Sequence, residues 1–290
     1  MKLGPNKGDA HLTYCTNIHP GETWEEVAHA LRVHLPAVKA KLCPDQDFGV
    51  GLRLSAAAAQ DLSAPSAFDE LQDILASGGL YVFTINGFPY GTFHGTRVKE
   101  EVYQPDWRTA ERLAYSNQLA DLLVRMLPKG GDIDGSISTV PGGFKPDVDG
   151  PDTIKAMADN LLAHAAHLVA IRRDTGRTIA LALEPEPCCL LETTQGAVDF
   201  FKAHLYNAAA IAQLAKHTGK ALLGDFQDRQ QLVHGGARVA ADEIQGSMVS
   251  ATETVLGQNI ISLAGEIPIG KEKEFNGLAH AFAVLGHKET

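Results

Sequence analysis

At 290 residues and 44% hydrophobic composition, the chain can bury a large core, as one barrel-sized domain or two smaller ones. Its 25 basic residues against 35 acidic ones leave a net charge of −10, which argues against nonspecific attraction to nucleic acid or anionic lipid. The start MKLGPNKGDAHLTY lacks the apolar core of a signal peptide, and no segment reaches the ~20 apolar residues needed to cross a bilayer, so a cytoplasmic protein without membrane insertion is expected.

Short apolar runs alternate with longer helical patterns. A strand in HLTYCTNIH (11–19) leads into a helix over 23–42, where Thr23 and Glu26 have the S/T-x-x-E spacing of a capping box. In that motif each side chain satisfies the other residue's exposed backbone amide. FGVGLRLS (48–55) is a second strand, followed by a helical stretch ending near Gly78. LYVFTING (80–87) is a third, followed by a long loop and a helix over 107–127. DGSISTV places a fourth strand near 134–140, and a Gly/Pro/Asp loop then reaches a long helix starting near Asp152, with apolar residues at helical spacing. TIALALE (178–184) opens a fifth unit and KALLGD (220–225) a sixth. NIISLAG (259–265) reads as a seventh strand, before a last helix near 271–285, and no eighth strand is legible.

This alternation predicts an α/β fold with a parallel sheet, either closed as a (β/α) barrel or open and doubly wound. No G-x-G-x-x-G follows the first strand, and polar groups follow the first, third, fourth and fifth strands. A barrel would gather those groups at one mouth, which favours it over the open sheet.

The fifth strand ends in LEPEPCC (183–189), with two carboxylates, Glu184 and Glu186, each followed by a proline. Glutamate is poor strand material and proline cannot donate to a ladder, so side chains leave the sheet here. A carboxylate at a barrel mouth can ligate a divalent metal or move a proton, and the bland alternative is a solvated loop. The same mouth would collect Asn17, His19, Asn86 and His94, each weak evidence alone. The loop 88–107 mixes Phe88, Tyr90, Phe93, Tyr103 and Trp107 with His94, Arg97 and Lys99. That composition suits stacking a sugar-like ligand while fixing its polar groups, so a lid or wall is expected. Cys15, Cys43, Cys188 and Cys189 show no CxxC spacing and read as buried thiols.

Four runs, LTYCTNIHPGETW, LYVFTINGFPYGTFHGTRVKEEVYQPDW, GSISTVPGGFKP and LALEPEPCCLLETT, resemble those of the EboE-type metabolite traffic proteins. These belong to the xylose isomerase-like (β/α) barrel superfamily, and the resemblance covers about residues 11 to 206. It implies a single TIM (β/α) barrel domain over 1–290, incomplete at its C-terminal end, and a sugar isomerase or epimerase-type protein acting on or binding a small polar metabolite in an export pathway. Glu184-Pro185-Glu186-Pro187 is similar to the Glu-Pro-Lys-Pro strand end of sugar isomerases, whose first Glu ligates a divalent metal. The ligand role thereby maps onto Glu184, while the family's lysine is Glu186 here. The resulting expectation has Glu184 and Asp225 on the metal, Glu186 and His94 as catalytic groups, and Asn17, His19, Asn86, Tyr90, Arg97 and Trp107 around the substrate.

Residues 207–290 depart from the family pattern: LLGDFQDRQQLVHGG stands in place of an Asp-x-x-His motif. A divalent metal (Mn, Mg or Zn) is therefore expected to bind weakly or not at all. An incomplete barrel leaves a sheet edge, and a homodimer is one way to cover it. The alternative reading is a noncatalytic metabolite-binding barrel with a degenerate metal site. A less favoured one is an endonuclease IV-like nuclease, against which the acidic balance counts.

Overall fold

The computed structural model describes residues 1–2, 11–92, 94, 99–130 and 133–218, with the backbone of 283–284. Five strands, β1 (His11–Cys15), β2 (Phe48–Arg53), β3 (Leu80–Asn86), β4 (Gly135–Thr139) and β5 (Ile179–Leu183), form a parallel sheet in the order β5-β4-β3-β2-β1. A two-residue strand β6 (Ala283–Val284) pairs antiparallel with β1. It falls inside the helix expected over 271–285, which it corrects at those two residues. The strands expected at 220–225 and 259–265 lie outside the described residues.

The helices α1 (Trp24–Leu42), α2 (Ala56–Asp61), α3 (Pro65–Gly78), α4 (Ala110–Met126), α5 (Pro151–Thr175), α6 (Thr194–Phe200) and α7 (Ala208–Thr218) flank the sheet. The capping box forms at the start of α1: Glu26 N donates to Thr23 Oγ1 at 3.4 Å and Thr23 N to Glu26 Oε2 at 3.3 Å. The single helix read between the second and third strands is in fact two. Ser55 caps α2, and Pro65 opens α3, where its missing N–H costs nothing. Gly79, at φ 57°, closes α3 in the left-handed region that favours glycine.

Register gives the sheet two unlike faces. Gly51, Thr84, Ser136 and Ala180 lie in one row, and Arg53, Asn86, Ser138 and Ala182 in the next but one. Cys15 joins the first row through its pairing with Gly51. Because side chains alternate along a strand, these rows share a face, which is mostly small and polar and carries Arg53 at the end of β2. Ser136 Oγ donates to Thr84 Oγ1 across it at 2.8 Å. The opposite parity supplies Val50, Leu52, Ile85 and Ile137, which are buried with the apolar faces of α1, α3 and α4. A second apolar cluster, including Trp107, Met157, Leu161, Phe200 and Phe201, joins α5 and α6 to the loop before α4.

The sheet is also curled. From β1 to β5 are four inter-strand steps, which on a flat sheet would separate their ends by roughly 19 Å. Yet Glu184, just past β5, lies close enough to Cys15 at the end of β1 for its charge to raise the thiol's pKa. Such curvature is that of a barrel wall. It brings the C-terminal strand ends around a common space.

Close packing behind the β4 loop gives a testable expectation. A Cβ on Gly143 would collide with the Asp106 carboxylate and lie 2.9 Å from Met157 Cε. Asp106 is fully buried and held by Arg108 Nε at 2.9 Å, so it cannot retreat. Gly143→Ala should therefore cost about 2 kcal/mol in urea unfolding, as overpacking does. Unchanged stability would mean the loop yields.

Among the described residues no helix is long and apolar enough to cross a membrane. Cys15, Cys43 and Cys189 are buried free thiols, but Cys188 is exposed and stands at φ 63°. The expectation of buried thiols is corrected there, because the turn after Glu186 points Cys188 outward.

Candidate functional site

The β4–β5 ladder runs one residue past the strand proper, since Glu184 N donates to Thr139 O at 3.0 Å. Glu184 thus keeps strand parity with Ala182 and Ala180 and faces the polar side of the sheet. Pro185 ends the ladder. A tight turn follows, in which Glu186 N donates to Leu191 O at 3.0 Å and Cys189 N to Glu186 O at 3.2 Å.

Glu184 keeps some accessible surface, but its Oε1 is completely buried without a hydrogen-bond partner. Burial pushes its pKa up to about 7; a hydrogen bond with Ser138 opposes the shift and the neighbouring charge of Glu186 adds to it. An isolated buried carboxylate avoids the cost of desolvation by holding its proton. Close to neutrality both forms are populated. Burial likewise pushes the Cys15 thiol up to about 11; the backbone N–H of Asn17 pulls it down and the charge of Glu184 raises it. Asn17, in the 3₁₀ turn Thr16–Ile18 after β1, has a buried Oδ1 with no partner. Glu186 Oε2 accepts a hydrogen bond from the Tyr103 hydroxyl at 2.8 Å. Ser138, Cys15 and Glu186 therefore interact with Glu184.

His19 and His94 form a second neighbourhood. The 3₁₀ turn swings His19 toward α1, where its ring stacks on His34 with centroids 4.0 Å apart and planes 9° apart. Tyr14 Oη lies 3.0 Å from His19 Nε2. The His19 pKa is lowered by burial first, then by His34 and by His94.

The other expected site residues are distributed as follows. Asn86 shares its row with Ser138, and its Oδ1 accepts from Phe88 N at 3.1 Å, shaping the turn after β3. Tyr90 packs edge-on against Tyr115 at 5.0 Å, with the Arg112 guanidinium 5.8 Å from its ring, so it builds the wall behind the β3 loop. Trp107 is 0% exposed in the second core cluster, beside His164, which corrects its expected role at the ligand surface. Arg97 and Asp225 lie outside the described residues. In the described parts of 88–107, Phe88 is buried and Tyr103 stacks on Phe144.

Ser138, Cys15 and Tyr103 were not singled out from sequence as partners of the two glutamates. The signal for the first two was present. Ser136 and Ser138 alternate with Ile137, and Thr13 and Cys15 with Tyr14, as in strands buried on one face and polar on the other.

No cluster of three or more His, Cys, Asp or Glu side chains able to hold a metal ion occurs among the described residues. Of the two expected ligands, Glu184 is the one that the described residues include.

No protein-family profile matches the chain, and no curated protein matches it. A solved structure described as a xylose isomerase-like TIM barrel protein from Mycobacterium smegmatis, in complex with magnesium, is similar over 68% of this chain at 15% identity and a TM-score of 0.45. The match spans 62% of that protein's length.

Proposed function

We propose that the chain is a sugar isomerase or epimerase-type protein that takes a small polar metabolite at the C-terminal ends of β1, β4 and β5. The observation that carries this reading is Glu184, a carboxyl with an unpartnered buried oxygen and a pKa near 7. A proton-transfer group works best when its pKa lies near the operating pH. Ionised, Glu184 accepts a proton from a carbon beside a carbonyl, leaving an enediol; protonated, it returns that proton to the neighbouring carbon, while protonation of the original carbon from the opposite face, which epimerisation requires, falls to a second group such as Glu186. Glu186, oriented by Tyr103, is the second carboxylate at the mouth. Asn17 and Ser138 supply neutral hydrogen-bonding groups for substrate hydroxyls. No step here runs through a metal. The resemblance of residues 11 to 206 to EboE-type proteins supports a ligand that belongs to a metabolite export route in the cytoplasm.

The test begins with a thermal-shift screen of sugars, sugar phosphates, polyols and hydroxy acids. Any stabilising compound is then incubated with the protein in D₂O and followed by proton NMR. Loss of a C–H signal that depends on Glu184, and is absent in Glu184→Gln, is the expected result. Binding without exchange would replace this reading with that of a noncatalytic metabolite-binding barrel.

A further inference from the structure

We propose that the His19–His34 stack is a pH-sensitive latch that holds the β1–α1 loop closed near neutral pH and releases it on mild acidification. The stack joins two elements: His19 belongs to the loop after β1, and His34 to the middle of α1. Parallel imidazoles at 4.0 Å and 9° are compatible when at least one ring is neutral, because two cations in that arrangement repel at close range. The surroundings sharpen the conflict. From α1, His29 lies edge-on to His34 at 6.0 Å. From β1, Tyr14 offers a neutral hydroxyl, and from the loop after β3, His94 adds a further imidazole.

His34 and His94 both disfavour a proton on His19. Burial disfavours it as well. A proton forced onto this cluster is met by imidazoles, and the stack can relieve the repulsion by parting. Histidine is the side chain whose ordinary proton affinity makes such a change available between neutral and endosome-like pH.

The consequence reaches the candidate site through the chain. His19 is two residues from Asn17, whose backbone N–H bonds Cys15, the thiol beside Glu184. Release of the loop would loosen that end of the mouth. The latch is a property of the free protein, so it stands apart from the reaction assigned to Glu184.

The experiment uses the full chain without ligand. Imidazole carbon-bound proton signals are assigned by NMR and titrated from about pH 8 to about pH 5, the range in which histidine ordinarily ionises. Amide hydrogen exchange over residues 16–23 is measured across the same range and corrected for intrinsic rates. His19 is expected to titrate below an ordinary imidazole, and protection of 16–23 to fall about tenfold across its titration, a loss expected of local opening. In His34→Gln the His19 titration should move up toward the ordinary value and the pH dependence of protection should vanish. Equal protection at both ends of the titration in the parent would overturn the proposal, as would a His34→Gln variant that folds but leaves the His19 titration where it was.

Discussion

Glu184→Gln is expected to stabilise the protein by about 3 kcal/mol above neutral pH and to leave its stability near pH 4 almost unchanged. The folded-state pKa of Glu184 lies at about 7, above its ordinary 4.5, so the folded protein binds this proton more tightly than the unfolded chain does. The associated stability is fully present below the unfolded value and is lost as pH rises through the folded one. Between those limits the unfolded chain ionises freely, while the folded protein must either keep the proton or hold a buried charge. Glutamine fills the same volume, retains a carbonyl for Ser138 and carries no charge, so it escapes the loss. Urea unfolding of both proteins at about pH 4, 6 and 8 gives the comparison, with the difference growing across that series. A difference independent of pH would show that the carboxyl ionises normally, and the proton-transfer reading would lose its basis. A group that destabilises the fold at its working pH is what a catalytic position characteristically carries.

The elements of the first 200 or so residues were largely legible because their signals are local: roughly alternating hydrophobicity for strands, and caps and periodicity for helices. The five parallel strands lie inside the runs predicted for them, and the Thr23–Glu26 cap forms as its spacing requires. Glu184 was also legible, since its strand and the prolines after it fix where the ladder ends. What was not legible depends on contacts distant in sequence. Trp107 in a polar loop resembles a ligand platform until Met157 and Leu161 of α5 close over it. His19 was read from sequence as a mouth residue after the first strand, and its stack on a histidine fifteen positions later was not legible there. The stretch from Thr194 to Thr218 carries two helices joined by the π-helical turn Phe201–Leu205, an irregularity that no simple period announces.

Arg53→Met should cost about 3–5 kcal/mol, the range for stripping one partner from a buried ion pair. Arg53 ends β2 and is 1% exposed, yet its guanidinium reaches both loops that border the mouth. It grips Glu22 through two parallel bonds, Nη1 to Oε1 at 3.0 Å and Nη2 to Oε2 at 3.1 Å. It also donates to Gly21 O at 3.2 Å in the β1–α1 loop and to Gly91 O at 2.8 Å in the loop after β3. Its own backbone N–H donates to Thr16 Oγ1 at 2.9 Å, tying it to the turn that carries Asn17. Methionine fills much of the space but leaves a carboxylate and two carbonyls without that donor, and the penalty comes chiefly from those abandoned groups. Glu22→Gln should therefore cost less than Arg53→Met, and the double variant less than the two single changes added together, by about 1–3 kcal/mol. Arg53→Lys should recover less than half of the loss, because one ammonium cannot span both loops as the planar fork does; about 2 kcal/mol or more should still be missing. Hydrogen exchange over 16–23 and 87–92 should quicken together in Arg53→Met, since one side chain holds both segments. If only one segment responds, or if the double variant is additive, the guanidinium is not the shared anchor of the mouth, and the two loops are held independently.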